Sequence, residues 1–364
     1  MRMRNSAVLA TSIGVLMLAT ACGGSSDSDS SSGSGGSSAD SNAPQVGVIL
    51  PDTKSSARWE SFDRPLLTKA FSDAGVKASI QNAQGDASQM QTIADQMITQ
   101  GVKVLAIVNL DSDSGTAIES KAKQAGVQTI DYDRLTLGGS SDYYVSFNNT
   151  QVGVLQGEGL AKCLGTGAKN IVYLNGSPTD NNATLFAAGA HSVLDKVTTY
   201  KKVAEQAVPD WDNQQAATIF EQQLTQAGKV DGVLAANDGL GNAAISILAK
   251  NGLAGKVPVT GQDATAQGLQ NVLAGTQCMT VYKPVADEAA ALSKIAISLA
   301  KGETPETTGT TNDATGKRDV KSVLLQPVAI TQANVKTVIS GGLVKAAEVC
   351  TAKYAALCTK FGVS

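Results

Sequence analysis

The chain predicts an α/β protein of two Rossmann-like lobes with parallel sheets, and three observations carry that expectation. Short β-branched runs alternate with amphipathic helical stretches from residue 45 onward, glycines stand where the first helices stop, and the rhythm restarts near Tyr143. The 320 residues beyond Pro44 are enough for two domains of ordinary size.

The run VGVIL between Gln45 and Pro51 is the first strand. A helical pattern through Phe62, Leu66, Leu67, Ala70 and Phe71 ends at Gly75, and a strand over 76–81 follows. Met90, Ile93, Ala94, Met97 and Ile98 share one face of a helix over 87–99, which Gly101 stops. The apolar run 102–109 reads as a buried parallel strand, and a helix over 114–124, Gly126 and a strand over 127–131 complete the first half. In the second half, strands are expected at 144–148, 170–174, 201–206, 230–237, 257–263 and 277–283. Helices at 151–163, 181–194, 213–226, 239–250 and 265–273 alternate with them. A helix over 284–300, apolar along Val285, Ala289, Leu292 and Ile295, leads to a Gly/Thr-rich loop over 302–317. The stretch 320–331 is extended, and a last helix starts near Gln332 or Asn334.

The N-terminus reads as an export leader. Arg2 and Arg4 supply positive charge, and a mostly apolar stretch from Ala7 to Ala21, too short to span a bilayer comfortably, ends in small residues before Cys22. Residues 1–21 are thus expected to be a lipoprotein signal peptide, with Cys22 acylated and holding the chain at the extracellular face of the cell membrane. Residues 22–43 are a lipid-anchored Gly/Ser linker with a root-mean-square reach of about 25 Å.

The formal net charge is -3 and there is no basic stripe, which argues against a nucleic-acid partner. Cys163, Cys278, Cys350 and Cys358 are an even set in an exported chain. Cys350 and Cys358 are close in sequence and pair first, which leaves Cys163 with Cys278, although three pairings remain formally open. With no CxxC and His191 the only histidine, neither a metal nor a cofactor is expected.

In an open parallel sheet, ligands settle beyond the carboxyl ends of the strands. Those positions hold Arg58 and Trp59, Asp133 and Arg134, Asp180 and Asn182, Trp211, Asn237, Asp263 and Lys283. Carboxylates, guanidinium forks and amides match vicinal hydroxyls, which both donate and accept, and an indole covers the C–H face of a pyranose. Taken singly, each has an ordinary reading: the aspartates and Asn182 as helix caps, the tryptophans as core, Arg58 and Lys283 as solvated surface. Their joint occurrence at strand ends favours a binding site for a small polyhydroxylated ring.

The segments TKSSARW (53–59), TIADQMI (92–98), DYDR (131–134), YYVSFNN (143–149), LNGSPTDNNA (174–183), AANDG (235–239), GQDA (261–264) and MTVYK (279–283) resemble the D-xylose-binding protein family of ABC sugar importers. The resemblance implies the type I periplasmic-binding-protein fold, two lobes joined by a three-segment hinge that closes on one monosaccharide. It implies an N-terminal lobe of 44–147 plus 284–318, a C-terminal lobe of 149–281 plus 319–364, and ligand contacts at the ten residues named above. Asn148 stands where relatives often have Asp, and the C-terminal cysteine pair is not general in the family. Related multiple-monosaccharide receptors share TKSSARW, so glucose, arabinose or galactose competes with xylose as the expected ligand. The expected partners are that sugar and a membrane permease, with the chain monomeric. Enzymes are the rival in kind, as a glycosidase carboxylate pair or an isomerase, but the chain lacks a histidine cluster, and Arg58, Arg134 and Lys283 favour ionised carboxylates. A receptor feeding a membrane sensor is a third reading.

Overall fold

The computed structural model describes residues 45–363, so the leader, Cys22 and the Gly/Ser linker lie outside the described residues. Twelve strands are β1 (Val46–Leu50), β2 (Ala78–Asn82), β3 (Val104–Ile107), β4 (Gln128–Tyr132), β5 (Tyr143–Phe147), β6 (Lys169–Asn175), β7 (Tyr200–Ala207), β8 (Gly232–Ala235), β9 (Thr280–Tyr282), β10 (Gly309–Asp313), β11 (Arg318–Leu325) and β12 (Val328–Ile330).

The first lobe is a seven-stranded sheet of order β10-β11-β5-β4-β3-β1-β2, parallel except for the antiparallel edge strand β10. Its central strands are buried over their whole length, as the unbroken apolar runs require when helices cover both faces. Leu67, Phe71 and Leu292 pack on one face, with Met90, Ile93 and Ile118 on the other. The second lobe repeats the winding with β7-β6-β8. Residues 257–263 carry it on through a bridge from Val259 to Val233 and the bonds Cys278 N–Val259 O and Asp263 N–Val281 O, reaching the ribbon β9-β12.

The lobes are joined at three places: Asn148 between β5 and the helix Asn149–Leu164, Lys283–Pro284 between β9 and the helix Val285–Ala300, and Gln326–Pro327 between β11 and β12. Asn148 caps the helix it precedes by accepting from Gln151 N at 3.1 Å, a role for which Asn and Asp are equally suited. In the second lobe the helices Asn149–Leu164 and Asn181–Leu194 touch backbone to backbone at Gly153 and Gly189, where a Cβ would collide with the main chain of the facing helix.

Three expectations are corrected. The boundary after residue 318 falls inside β11, which pairs in parallel with β5 through Leu325, so residues 319–325 belong to the first lobe. The expected loop 302–317 contains β10, whose polar Thr and Asn side chains suit an exposed edge strand and hide it from a hydrophobic pattern. The expected strand 257–263 joins the sheet only through isolated bonds, because Pro258 lacks an N–H for the ladder. The disulfides are Cys163–Cys278 and Cys350–Cys358, the pairing that sequence proximity put first.

Candidate functional site

The carboxyl ends of strands from both lobes meet at one small polar cavity. All ten residues singled out from the sequence line it, joined by Ser55, Ser56, Phe186 and Gln262. Cys22, the expected lipidation site, is outside the described residues.

Three of these side chains stand on backbone that L-residues rarely adopt: Asp133 has φ 63°, Trp211 φ 55° and Asp263 φ 98°. Each such conformation costs on the order of 1–3 kcal/mol and persists where surrounding structure over-determines it, which points to a functional demand on these three positions. Trp211 has a further accommodation, since a Cβ at Gly176 would overlap its indole.

The wall from the first lobe centres on Arg58, which is buried just ahead of a π-helical turn, Trp59–Asp63. Such turns recur at functional sites. Arg58 Nε and Nη2 donate to Asp63 at 2.9 and 2.7 Å, Nη2 also donates to Glu288 at 2.6 Å, and Nη1 donates to Asp133 at 3.0 Å. Its guanidinium lies 4.4 Å from the centroid of Trp59, whose indole N–H donates to Ser55 Oγ at 3.2 Å. Burial raises the Asp133 carboxyl, but Lys283, Arg58 and Arg134 outweigh it and hold the group below the ordinary carboxylate range. Lys283 sits 3.7 Å from Asp133 and lies over the rings of Phe147 and Phe186.

The wall from the second lobe is built from helix starts. Asp180 caps the helix Asn181–Leu194 through Asn182 N and accepts from the Trp211 indole at 3.1 Å. Asn237 caps the helix Asp238–Lys250 with its side-chain oxygen, which accepts from Leu240 N at 2.9 Å. These two residues are therefore both helix caps and cavity walls. Phe186 meets Trp211 edge to face at 6.4 Å, making an apolar corner. Burial raises the Asp263 carboxyl, with Lys283 and Arg58 opposing, and Gln262 donates to it.

Direct bonds cross between the lobes. Asn182 Nδ2 donates to the main-chain oxygen and Oδ1 of Asp133, both at 3.0 Å. Asn149 Nδ2, at the start of the second lobe, donates to Ser146 Oγ of β5 at 3.1 Å and also, within its own lobe, to Asn182 Oδ1 at 2.8 Å. Arg134 Nε lies 3.0 Å from Asp180 Oδ2, an ion pair without hydrogen-bond alignment, while its Nη1 donates to Asn109 O. The cavity is thus closed on two sides by groups that hold the lobes together.

Sequence reasoning missed the residues behind the wall. Asp63 and Glu288 lie inside helical segments, where an acidic residue ordinarily marks a solvated face, yet both are fully buried against Arg58. The spacing of Glu288 along the apolar stripe of its helix, three residues after Val285 and four before Leu292, was the available signal. Among the described residues no group of three or more His, Cys, Asp or Glu side chains is placed to hold a metal ion.

A family model described as a periplasmic binding protein domain matches residues 46–304. The D-xylose-binding periplasmic protein of Escherichia coli is 37% identical over 84% of this chain and 92% of its own length. A multiple sugar-binding periplasmic receptor of Rhizobium radiobacter is 35% identical over 83% of this chain and 91% of its length. A carbohydrate transporter solute binding protein from Chloroflexus aurantiacus, solved in complex with D-glucose, superposes with a TM-score of 0.77 at 29% identity, covering 84% of this chain and 98% of that one. Two hinged α/β lobes, a polar cavity at their facing strand ends and these likenesses agree: the chain belongs to the periplasmic binding protein family, among the non-enzymatic solute receptors that include the D-xylose-binding proteins.

Proposed function

We propose that this protein captures D-xylose in the interlobe cavity and delivers it to an ABC permease. The observation that carries the reading is the cavity wall itself: buried carboxylates, amides and cations from both lobes, with Trp59, Phe186 and Trp211 as apolar surfaces. Such a wall matches hydroxyls and C–H faces together, and each unmatched hydroxyl inside it is costly. The ten residues predicted from the sequence are the proposed contacts, with Ser55, Ser56 and Gln262 beside them. Binding stabilises the closed arrangement because only there do both walls reach the sugar. The D-xylose-binding relatives support xylose.

Capture of another monosaccharide, glucose first, is the second reading, favoured by the solved relatives that hold glucose. Titration calorimetry with D-xylose, D-glucose, L-arabinose, D-galactose and D-ribose separates the two. Xylose is expected to bind at micromolar affinity or tighter and to compact the protein in solution scattering. Tighter binding of glucose moves the assignment to the second reading, and no heat from any of the five rejects a sugar receptor.

The same proposal places the protein, as a monomer, at the outer face of the cell membrane through acylated Cys22, a reading supported by the leader and the Gly/Ser tether. A Cys22→Ser chain is expected to leave the membrane fraction; unchanged fractionation would reject the anchor.

A further inference from the structure

We propose that Glu288 positions Arg58 for the sugar and takes up a proton when the cleft closes, so that sugar capture is proton-linked. This rests on the sugar-receptor reading and adds a residue that touches no ligand. Glu288 is in the first turn of the helix Val285–Ala300 and is 0% exposed. One carboxyl oxygen accepts from Arg58 Nη2 at 2.6 Å; the other, Oε1, is buried with no partner.

The groups around it show why a proton belongs there. Asp63 comes from the π-helical turn, Tyr132 from β4 and Tyr144 from β5, while Asp133 follows β4 and Lys283 precedes the helix. Asp263 enters from the second lobe and faces Lys283, Arg58 and Asp133. Three cations, Arg58, Lys283 and Arg134, therefore stand among five carboxyls, Asp63, Asp133, Asp180, Asp263 and Glu288. Uncompensated negative charge in a dry site is costly, and the carboxyl poorest in donors yields first. Asp63 accepts from Arg58 twice and from the Tyr132 hydroxyl, and Asp133 accepts from Arg58 and Asn182. Glu288 and Asp263 each have one donor, but of the two only Glu288 has a buried oxygen without a partner. Burial, only partly opposed by Arg58, pushes its carboxyl up to about 8.

Closure is the step that changes this balance. Asn182 and Asp263 belong to the second lobe, so opening the cleft exposes the Arg58–Asp133 face to water and lets solvent stabilise the surplus charge. Closing removes that water. The Glu288 proton is then held more tightly in the closed, sugar-bound form than in the open one. A group whose pKa is higher in the bound form favours binding at low pH, and the advantage is lost as pH rises from the free value through the bound value.

The test is the pH profile of affinity for the sugar that the wild-type chain binds. Wild type is expected to weaken about three- to tenfold between pH 7 and 9. Glu288→Gln removes the titrating group and keeps an oxygen for Arg58, so its profile is expected to be flat within about twofold, whatever its absolute affinity. Asp263→Asn, which removes one of the surplus carboxylates but not the titrating group, is expected to lessen the slope without abolishing it. A second readout needs no variant: binding enthalpies of wild type at pH 7.5 in phosphate and in Tris are expected to differ by the heat of net proton uptake. A flat wild-type profile, equal enthalpies, a Glu288→Gln profile parallel to wild type or a flat Asp263→Asn profile each overturns the proposal. Wild type that binds no sugar at any pH instead rejects the receptor reading, and this inference with it.

Discussion

In the first lobe the cavity wall is one connected charge network at the carboxyl edge of a seven-stranded sheet, whereas in the second lobe Asp180 and Asn237 are each fixed locally as caps at the start of a helix. Arg58 ties Asp63, Asp133 and Glu288 into a unit that no single bond defines. Asp180 and Asn237 are each held by a cap to the next helix and would keep their places without their neighbours. The lobes differ in their scaffolding too. Both disulfides are in the second lobe, whose main sheet has three strands, while the first relies on a broad sheet with two packed faces. A networked wall should couple ligand affinity to folding stability, and a locally fixed wall should separate them.

The largest test of that contrast is Arg58→Met. It strands three buried carboxyls, and breaking a buried ion pair from one side costs about 3–5 kcal/mol. Urea unfolding is expected to show that loss together with abolished sugar binding. The counterpart in the second lobe, Asn237→Ala, removes one helix cap, a loss of about 1 kcal/mol. It is expected to weaken sugar binding roughly tenfold while lowering the unfolding free energy by only about that much. Similar stability losses in the two variants would erase the distinction between the walls.

Next comes the covalent bracing of the second lobe. Cys163 and Cys278 are separated by 115 residues, so replacing both with Ser releases a long loop in the unfolded chain and is expected to cost about 2–4 kcal/mol. Calorimetric scans should show a lowered transition for that variant. A smaller decrease is expected from the Cys350/Cys358 double replacement, which opens a separation of 8. Equal decreases would show that loop length does not govern the effect.

A last test concerns a second buried acid in the first lobe, away from the cavity wall. Glu119 accepts from the backbone N–H groups of Ser140 and Ser141, and burial, with Asp131 adding to it, pushes its carboxyl up to about 9. In the unfolded chain the same carboxyl titrates near 4.3, so between those values the folded state binds the extra proton. Its contribution to stability is full below the unfolded value and is lost as pH rises toward 9. Thermal midpoints followed from pH 5 to 9 should decline less steeply in Glu119→Gln than in wild type. Parallel declines would assign the pH dependence to other groups.

Much of the architecture was legible because strands and helices in a doubly wound fold carry different periods. Met90, Ile93, Ala94 and Met97 are buried on the helix face their spacing predicts, and the runs at β1 and β3 are buried throughout. The cavity residues were legible for a geometric reason: strand ends in such sheets point at the ligand crevice, so position along the chain is already position in space. Asp63 and Glu288 were not legible, since one acidic residue in a helix looks alike whether it faces water or a buried guanidinium. β10 was hidden for the converse reason, because an edge strand needs no apolar face.

By itself the sequence determined the alternation of elements, the two-lobed plan and the ten side chains at strand ends, because each follows from local periodicity and from the handed winding of parallel sheets. Only the tertiary structure decided that β11 stays with the first lobe, that Asn182 reaches across to Asp133, and that Arg58 is shared among three carboxyls. Those features depend on pairing between residues as far apart as Arg58 and Glu288, 230 positions along the chain, and no local pattern encodes a contact of that range.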